Sequence, residues 1–176
     1  MARRGVDAVV HDLARPLSRE FWRSYDAFIH VAATNPTIDL QIAHAVCANL
    51  ATGQRWIHTT GVWMYGSTPH LSASAPFNPP VVARWRVDVV DRLRTDTALD
   101  IRLIAPAVVH GGGRCASLDR LRVVTTDELG RPCLQTVGSG AQHWPTVHVT
   151  DLARLYLMAC RSDGLPHEMI GQAQRG

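Results

Sequence analysis

The stretch RWIHTTGVWMYGS, residues 55–67, reads as a short strand, Arg55 to Thr60, that opens onto a long loop. Its apolar and β-branched start suits a buried strand, and Gly61 begins a run to Pro80 rich in Ser, Pro, Gly and Asn. A loop of that length without periodicity is usually functional or mobile. Outward on either side, DAFIHVAATNP (26–36) and LDIRLIAPAVVHGGG (99–113) repeat the strand-then-loop form, and HWPTVHVTDLARLYLMA (143–159) follows as a short strand and a helix. Strands alternating with helices of such length predict a parallel α/β sheet.

The elements between them follow from local signals. Val6 to Leu13 reads as a further strand ending at Asp12, with Pro16 and Ser18 marking a turn and a helix cap before Arg19 to Ser24. Thr37 to Thr52 carries apolar residues near the 3.6 period of an amphipathic helix, with Gly53 as its expected C-cap. Val81 to Arg94 is the next predicted helix, and Leu99 to Ala105 the next strand, continuing to Val109. Ala116 to Thr126 suits either helix or strand. Pro132 to Val137 and Thr146 to Val149 are expected strands. Asp151 to Arg161 is expected as a helix capped by Asp151 or Thr150, with Leu152, Leu155, Tyr156 and Met158 inward.

Composition excludes several classes. The 176 residues are 46% hydrophobic and 19% charged, a globular balance that allows one full domain and a small extension. All 18 Lys and Arg residues are Arg, for a net charge of +3. Arg84, Arg86, Arg92 and Arg94 come nearest to a patch, but Asp88 and Asp91 interrupt them, which argues against a nucleic-acid face. The four cysteines are far apart and the nine histidines lack zinc-site spacing, so no metal is expected. Asp7 and Asp12 break any leader-like apolar run, and no stretch approaches the roughly 18 apolar residues of a membrane span. The expectation is a soluble cytoplasmic protein with reduced thiols and no membrane partner.

Five segments in order resemble the NAD-dependent epimerase/dehydratase group of the extended and atypical short-chain dehydrogenases/reductases. VVHDL resembles the strand whose terminal Asp-Leu lies beside adenine, and FIHVAA the next strand, whose alanines pack along the cofactor. HTTGVWMYG resembles the active-site strand usually read as S-S-x-x-x-V-Y-G, and IAPAVVHG the R-P-x-x-V-Y-G strand reaching the nicotinamide side. WPTVHVTDLARLYLMA matches the V-H-V-x-D-L-A run that opens the substrate lobe. The resemblance implies a Rossmann-like parallel sheet with flanking helices, lacking its first βαβ unit, plus a small C-terminal substrate-lobe element. The corresponding divisions are 1–113, a partial NAD(P)-binding domain, and 114–176, the lobe region, which can also pack with it as one domain.

The same resemblance assigns Asp12, Leu13, Ala32, Ala33, Arg84, Pro106 and Val109 to the cofactor, NAD or NADP. It assigns Thr59 and Thr60 to catalysis, and Tyr65, His143 and Trp144 to a small-molecule substrate, a sugar nucleotide in the family's usual case. Asp12 keeps a second reading as a cap of the turn toward Pro16. His148 reads as a packed, hydrogen-bonded core histidine, and Gly111 to Gly113 as an exit turn.

Three departures qualify the expectation. No G-x-x-G-x-x-G turn appears, so the pyrophosphate lacks its main anion site, and about 30 or more residues of a βαβ unit would precede Met1. That pattern implies N-terminal truncation, through a misplaced start or a real loss. The family's Tyr-x-x-x-Lys pair falls on Pro80 and Arg84, and a straight alignment puts Gly61 at the usual Ser/Thr. The reading is therefore an NAD(P)-binding epimerase/dehydratase-like protein with absent or unconventional catalysis. The alternative is a non-catalytic cofactor-sensing or scaffold module that forms a homo-oligomer through an open sheet edge.

Overall fold

The computed structural model describes residues 6–32, 34–68, 70–113, 123–135, 139–141 and 143–173. Its centre is a parallel sheet of β1 (Ala27–His30), β2 (Arg55–Thr59), β3 (Asp100–Pro106) and β8 (Glu168–Gly171), in the order β1-β2-β3-β8. Register pairs Ala27 with Arg55, Arg55 with Asp100, and Leu103 with Glu168. Trp56, Ile57 and His58 are all buried, as are Ile101 to Ala105. Continuous burial, rather than alternation, is what a parallel strand covered on both faces requires.

Helices cover the two faces. The helices α1 (Arg19–Arg23), α2 (Pro36–Asn49) and α3 (Trp85–Arg94) belong to the face carrying Phe28, Trp56, Ile101 and Leu103. There Trp22, Phe28 and Trp56 pack ring against ring, with Trp22 and Phe28 centroids 5.1 Å apart. Val46, Val90 and Leu93 close this core. Ser18 caps α1 by accepting from the Phe21 amide at 3.1 Å, and Asn35 caps α2 by accepting from Ile38 at 3.0 Å, with Pro36 at its first position.

The opposite face, with Ile57 and Ile104, is covered by α4 (Val149–Arg161) through Leu152 and Ala159. Beyond the main sheet, β4 (Val108–His110) pairs in parallel with β7 (Thr146–His148), and β5 (Val123–Thr126) pairs antiparallel with β6 (Pro132–Gln135). Where β4 ends, Gly111 has φ +123°, and a Cβ there would lie 2.6 Å from His148 Nε2, so only glycine fits.

A buried ion cluster ties α4 to the base of the sheet. Arg102 is 2% exposed; its Nε donates to Asp100 Oδ1 at 3.0 Å, and its Nη1 donates to the carbonyls of Ala159, at 3.0 Å, and Ser162. Arg55 adds bonds to Asp100 at 2.6 Å, the Cys160 carbonyl at 2.7 Å and Asp163 at 2.7 Å. Burial alone would raise the Asp100 pKa, but the hydrogen bonds from Arg102 and Arg55 outweigh it and hold the carboxyl below its usual range. Both guanidinium groups also meet the negative end of the α4 dipole.

The structure corrects several sequence expectations. Val6 to Leu13 forms no strand; Val9 and Val10 are 83% and 102% exposed. Among the described residues no strand pairs with this segment, so its backbone joins no ladder. The helix expected to Thr52 ends at Asn49 with Leu50 as its cap, so Gly53 lies in the following turn. The cap of α4 is His148, whose Nδ1 accepts from the Thr150 amide at 3.2 Å, rather than Asp151 or Thr150. Met158 points outward at 53% exposure. EMIG carries no sequence signal for β8, since four residues are too brief to show a period. It brings residues beyond 113 into the main sheet. Among the described residues, no helix is long and apolar enough to cross a membrane.

Replacing Arg102 by Ala strips Asp100 of one buried partner and takes a donor from the carbonyls of Ala159, which keeps Arg55, and Ser162; the expected cost is about 3 kcal/mol or more. Arg102→Lys will not restore it, because an ammonium cannot span Asp100 and two carbonyls as a planar fork does. Guanidinium unfolding of the three proteins measures both effects.

Candidate functional site

Ligands of open parallel sheets bind beyond the carboxyl ends of the strands. At that end β2 runs into Thr60 and Gly61, and β3 into Pro106 and Ala107. Two adjoining clefts lie there. The smaller, about 420 Å³, is lined by Thr60, Gly61, Met64, Arg86, Pro106 and Ala107, among others. The larger, about 800 Å³, is walled by Ser67, Thr68, Asn78, Pro80, His143 and Gln172, among others. They share Val62, Trp63, Val108 and Trp144.

Strand parity separates the two threonines. Thr60 follows Trp56 and His58 on the α2/α3 side and faces the smaller cleft; its amide donates to the Ile104 carbonyl at 2.8 Å and its hydroxyl to the same oxygen at 3.3 Å. Thr59 points the other way, and its Oγ1 lies 2.6 Å from the Tyr156 hydroxyl of α4. Burial raises the Tyr156 pKa, so that pair is a neutral hydrogen bond at ordinary pH. Thr59 lines neither cleft.

Among the other candidates, Pro106, His143 and Trp144 converge with Thr60 on the clefts. Tyr65 is buried against Phe77, with ring centroids 5.3 Å apart, and burial raises its pKa. Asp12 closes a turn, its Oδ1 accepting from Ala14 at 3.0 Å and its carbonyl from Arg15 at 2.9 Å, and Leu13 is part of that turn. Arg84 and Ala32 are exposed, and Val109 pairs with Val147 in the β4–β7 ladder. None of these six lines either cleft. Ala33 lies outside the described residues.

The cation that does reach the smaller cleft is Arg86, two positions beyond Arg84. It sits in the first turn of α3, its Cζ 4.8 Å from the Trp85 ring centroid. Val82 and Arg86 are four apart, the same spacing as Pro80 and Arg84, so spacing alone does not choose between the two arginines; in the structure Val82 lines the larger cleft.

Below the tips runs a column that sequence reasoning missed. His30 and His58, register partners on β1 and β2, stack at 5.2 Å with planes 10° apart, and His30 stacks on Trp56 at 5.5 Å. Both histidines are buried. Burial, then His30 and the Arg86 charge, push the His58 pKa down to about 3. Burial likewise lowers His30, against an opposing pull from Asp39. Among the described residues no hydrogen-bond partner reaches either His30 nitrogen or His58 Nδ1. The column is neutral at physiological pH. Asp39, itself buried, instead accepts from the Thr34 amide at 3.2 Å and hydroxyl at 2.6 Å, fixing the exit of β1.

No family model and no curated protein matches this chain. Solved structures do. The chain is similar to an NAD-dependent NDP-hexosamine 5,6-dehydratase, TunA, of tunicamycin biosynthesis, at TM-score 0.70 and 17% identity, over 90% of this chain and 58% of that one. It is similar to UDP-glucuronic acid 4-epimerase from Bacillus cereus in complex with NAD, at TM-score 0.74 and 14% identity, over 94% and 60%. A human epimerase family protein with NADPH gives TM-score 0.63 and 19% identity, over 92% and 59%. The likeness shows a shared Rossmann-like fold, and the chain spans about three fifths of the length of these neighbours.

The neutral column makes stability fall in acid. Once unfolded, His58 takes a proton near 6.5, whereas the folded protein resists protonation until about 3. The unfolded state therefore binds more protons across that window, and stability drops as pH falls through it. The expected slope is up to about 1.4 kcal/mol per pH unit for each histidine. Denaturant unfolding between those pH values checks it, and His58→Leu should flatten the slope.

Proposed function

We propose that this chain is an NAD(P)-binding relative of the epimerases and dehydratases, with its nicotinamide half over the tips of β2 and β3 in the smaller cleft. One observation carries the reading: Thr60, Pro106 and Arg86 share one wall at the end of a parallel sheet where such ligands bind. The backbone fits a flat group there. Gly61 is extended at φ 168°, and a Cβ built on it meets nothing within 4 Å, so the tip is open. Among the described residues no glycine turn cradles a pyrophosphate, so Arg86 is the group that supports anion binding. When bound, the dinucleotide would supply hydride chemistry.

The chain's own residues would do less. Arg86 would hold a ribose or phosphate oxygen through its fork of donors. Thr60 presents its hydroxyl to the same cleft, with its proton already given to Ile104. Neither replaces the phenol and ammonium of the Tyr-x-x-x-Lys pair as an acid–base relay, so catalysis is absent or unconventional. A small molecule in the larger cleft is the substrate of this reading. A sugar nucleotide, as in the epimerase and dehydratase neighbours, would need a cation for its diphosphate. Among the described residues lining the two clefts, that is Arg86 alone.

A second reading rests on the open side of β1. Among the described residues no strand pairs with that edge, and Ile29 and Val31 are exposed beside it. Such an edge favours strand addition by a second copy, as a scaffold would use it. Light scattering separates the readings; a dispersed monomer at high concentration removes the scaffold.

Calorimetric titration with NADH and NADPH should show binding of at least one. Arg86→Ala should weaken it about tenfold or more, the worth of a charge-assisted hydrogen bond, while Arg84→Ala leaves it unchanged. Failure of both dinucleotides to bind the folded protein overturns the reading, and brisk NAD(P)-linked turnover of a sugar nucleotide overturns the catalytic part.

A further inference from the structure

The two clefts differ in charge. Arg86 lies on the smaller alone. The larger carries no Asp, Glu or Arg among its described lining residues, and His143 is its sole titratable side chain. Its polar groups are neutral: Ser67, Thr68, Asn78 and Gln172. Trp63, Trp144 and the three prolines Pro79, Pro80 and Pro145 make up much of its apolar surface, beside aliphatic side chains such as Leu71 and Val82. Trp63 is 55% exposed, an indole left open at the mouth rather than buried in a core.

The loop wall is fixed. Gly66 has φ +72°, and a Cβ on it would lie 2.4 Å from the Asn78 carbonyl, so the two ends of the loop touch. The Asn78 amide donates to the Met64 carbonyl at 2.8 Å, and Phe77 packs on Tyr65. The cleft's volume is that of a small-molecule site.

We propose that the larger cleft binds an uncharged, planar, aromatic-bodied molecule with one or two polar substituents, and not a nucleoside diphosphate. A flat apolar body gains by stacking on open indole faces. Neutral hydroxyl and amide groups then orient its substituents. A diphosphate would exchange water for a described lining that holds no Arg, which is costly. The assignment deepens the NAD(P)-binding reading and rests on it only for leaving this cleft to the substrate.

The test uses 2-naphthol and uridine diphosphate glucose as probes, titrated calorimetrically into the whole chain with and without NADPH. 2-Naphthol should bind, Trp63→Ala and Trp144→Ala should each weaken it about fivefold, and Trp63→Phe should keep most of it. Uridine diphosphate glucose should not displace it. If Trp144→Ala fails to fold, the exposed Trp63 pair of variants carries the test. The proposal is overturned if 2-naphthol does not bind, if the tryptophan variants bind it normally, or if the sugar nucleotide displaces it. Loss of dinucleotide binding with 2-naphthol binding intact would instead sink the cofactor reading and leave this one standing.

Discussion

Arg102 is the constraint on which the arrangement depends. A guanidinium buried in the middle of a parallel strand is costly unless each donor is met. Here Asp100 and the carbonyls at the end of α4 meet it, and Arg55 closes the same cluster from β2. The cluster fixes the C-terminal end of α4 against the base of β2 and β3. With that end held, the helix's other end lies toward the strand tips, where His148 caps it and β7 pairs with β4. Trp144 lies two positions before β7 and so reaches the clefts. The ion cluster and the candidate site are opposite ends of one rigid helix.

The second constraint is the alternation of the central strands. On β2, Trp56, His58 and Thr60 share the α2/α3 side, while Ile57 and Thr59 share the α4 side. One residue of parity therefore decides that Thr60 meets the cleft and Thr59 meets Tyr156. The same parity stacks His58 on its register partner His30 and sets both beneath the tips. Covered on both faces, these histidines are cheaper to keep neutral than to charge.

These particulars explain what could be read in advance. β2 and β3 were legible from their Trp-Ile and Leu-Ile-Ala cores between turn signals, although each also buries a polar residue, and Ser18 and Asn35–Pro36 mark helix starts by purely local chemistry. The tip residues Thr60, Pro106 and Trp144 were legible through segment order. Val6 to Leu13 misled because strand composition is not strand pairing; a ladder needs neighbours that a local pattern cannot supply. No local pattern tells which of the adjacent hydroxyls of Thr59 and Thr60 lines the cleft. Arg86 was missed because the choice between Arg84 and Arg86 depends on where α3 begins, and the helix starts only at Trp85 after a 3-10 turn over Val81–Ala83. The His30–His58 stack was invisible for the same reason that it is informative: its partners are 28 residues apart in sequence and meet only through sheet register.

The charge of Arg86 then acquires its meaning from its surroundings. Among the described residues no carboxylate forms an ion pair with it, and its ring partner Trp85 leaves its charge intact. The histidines beneath it stay neutral, so they add no competing positive charge. A lone cation above a buried, uncharged column is felt more strongly than one in solvent. Its field falls on the smaller cleft and is not repeated on the larger, whose described lining offers indoles, prolines and neutral amides. A molecule spanning both clefts would thus place its negative charge at the Arg86 end and its uncharged, planar part between Trp63 and the loop. That polarity is built from the fold itself: sheet parity sets the neutral column, the start of α3 aims Arg86, and the anchored α4 holds Trp144 at the boundary between the two.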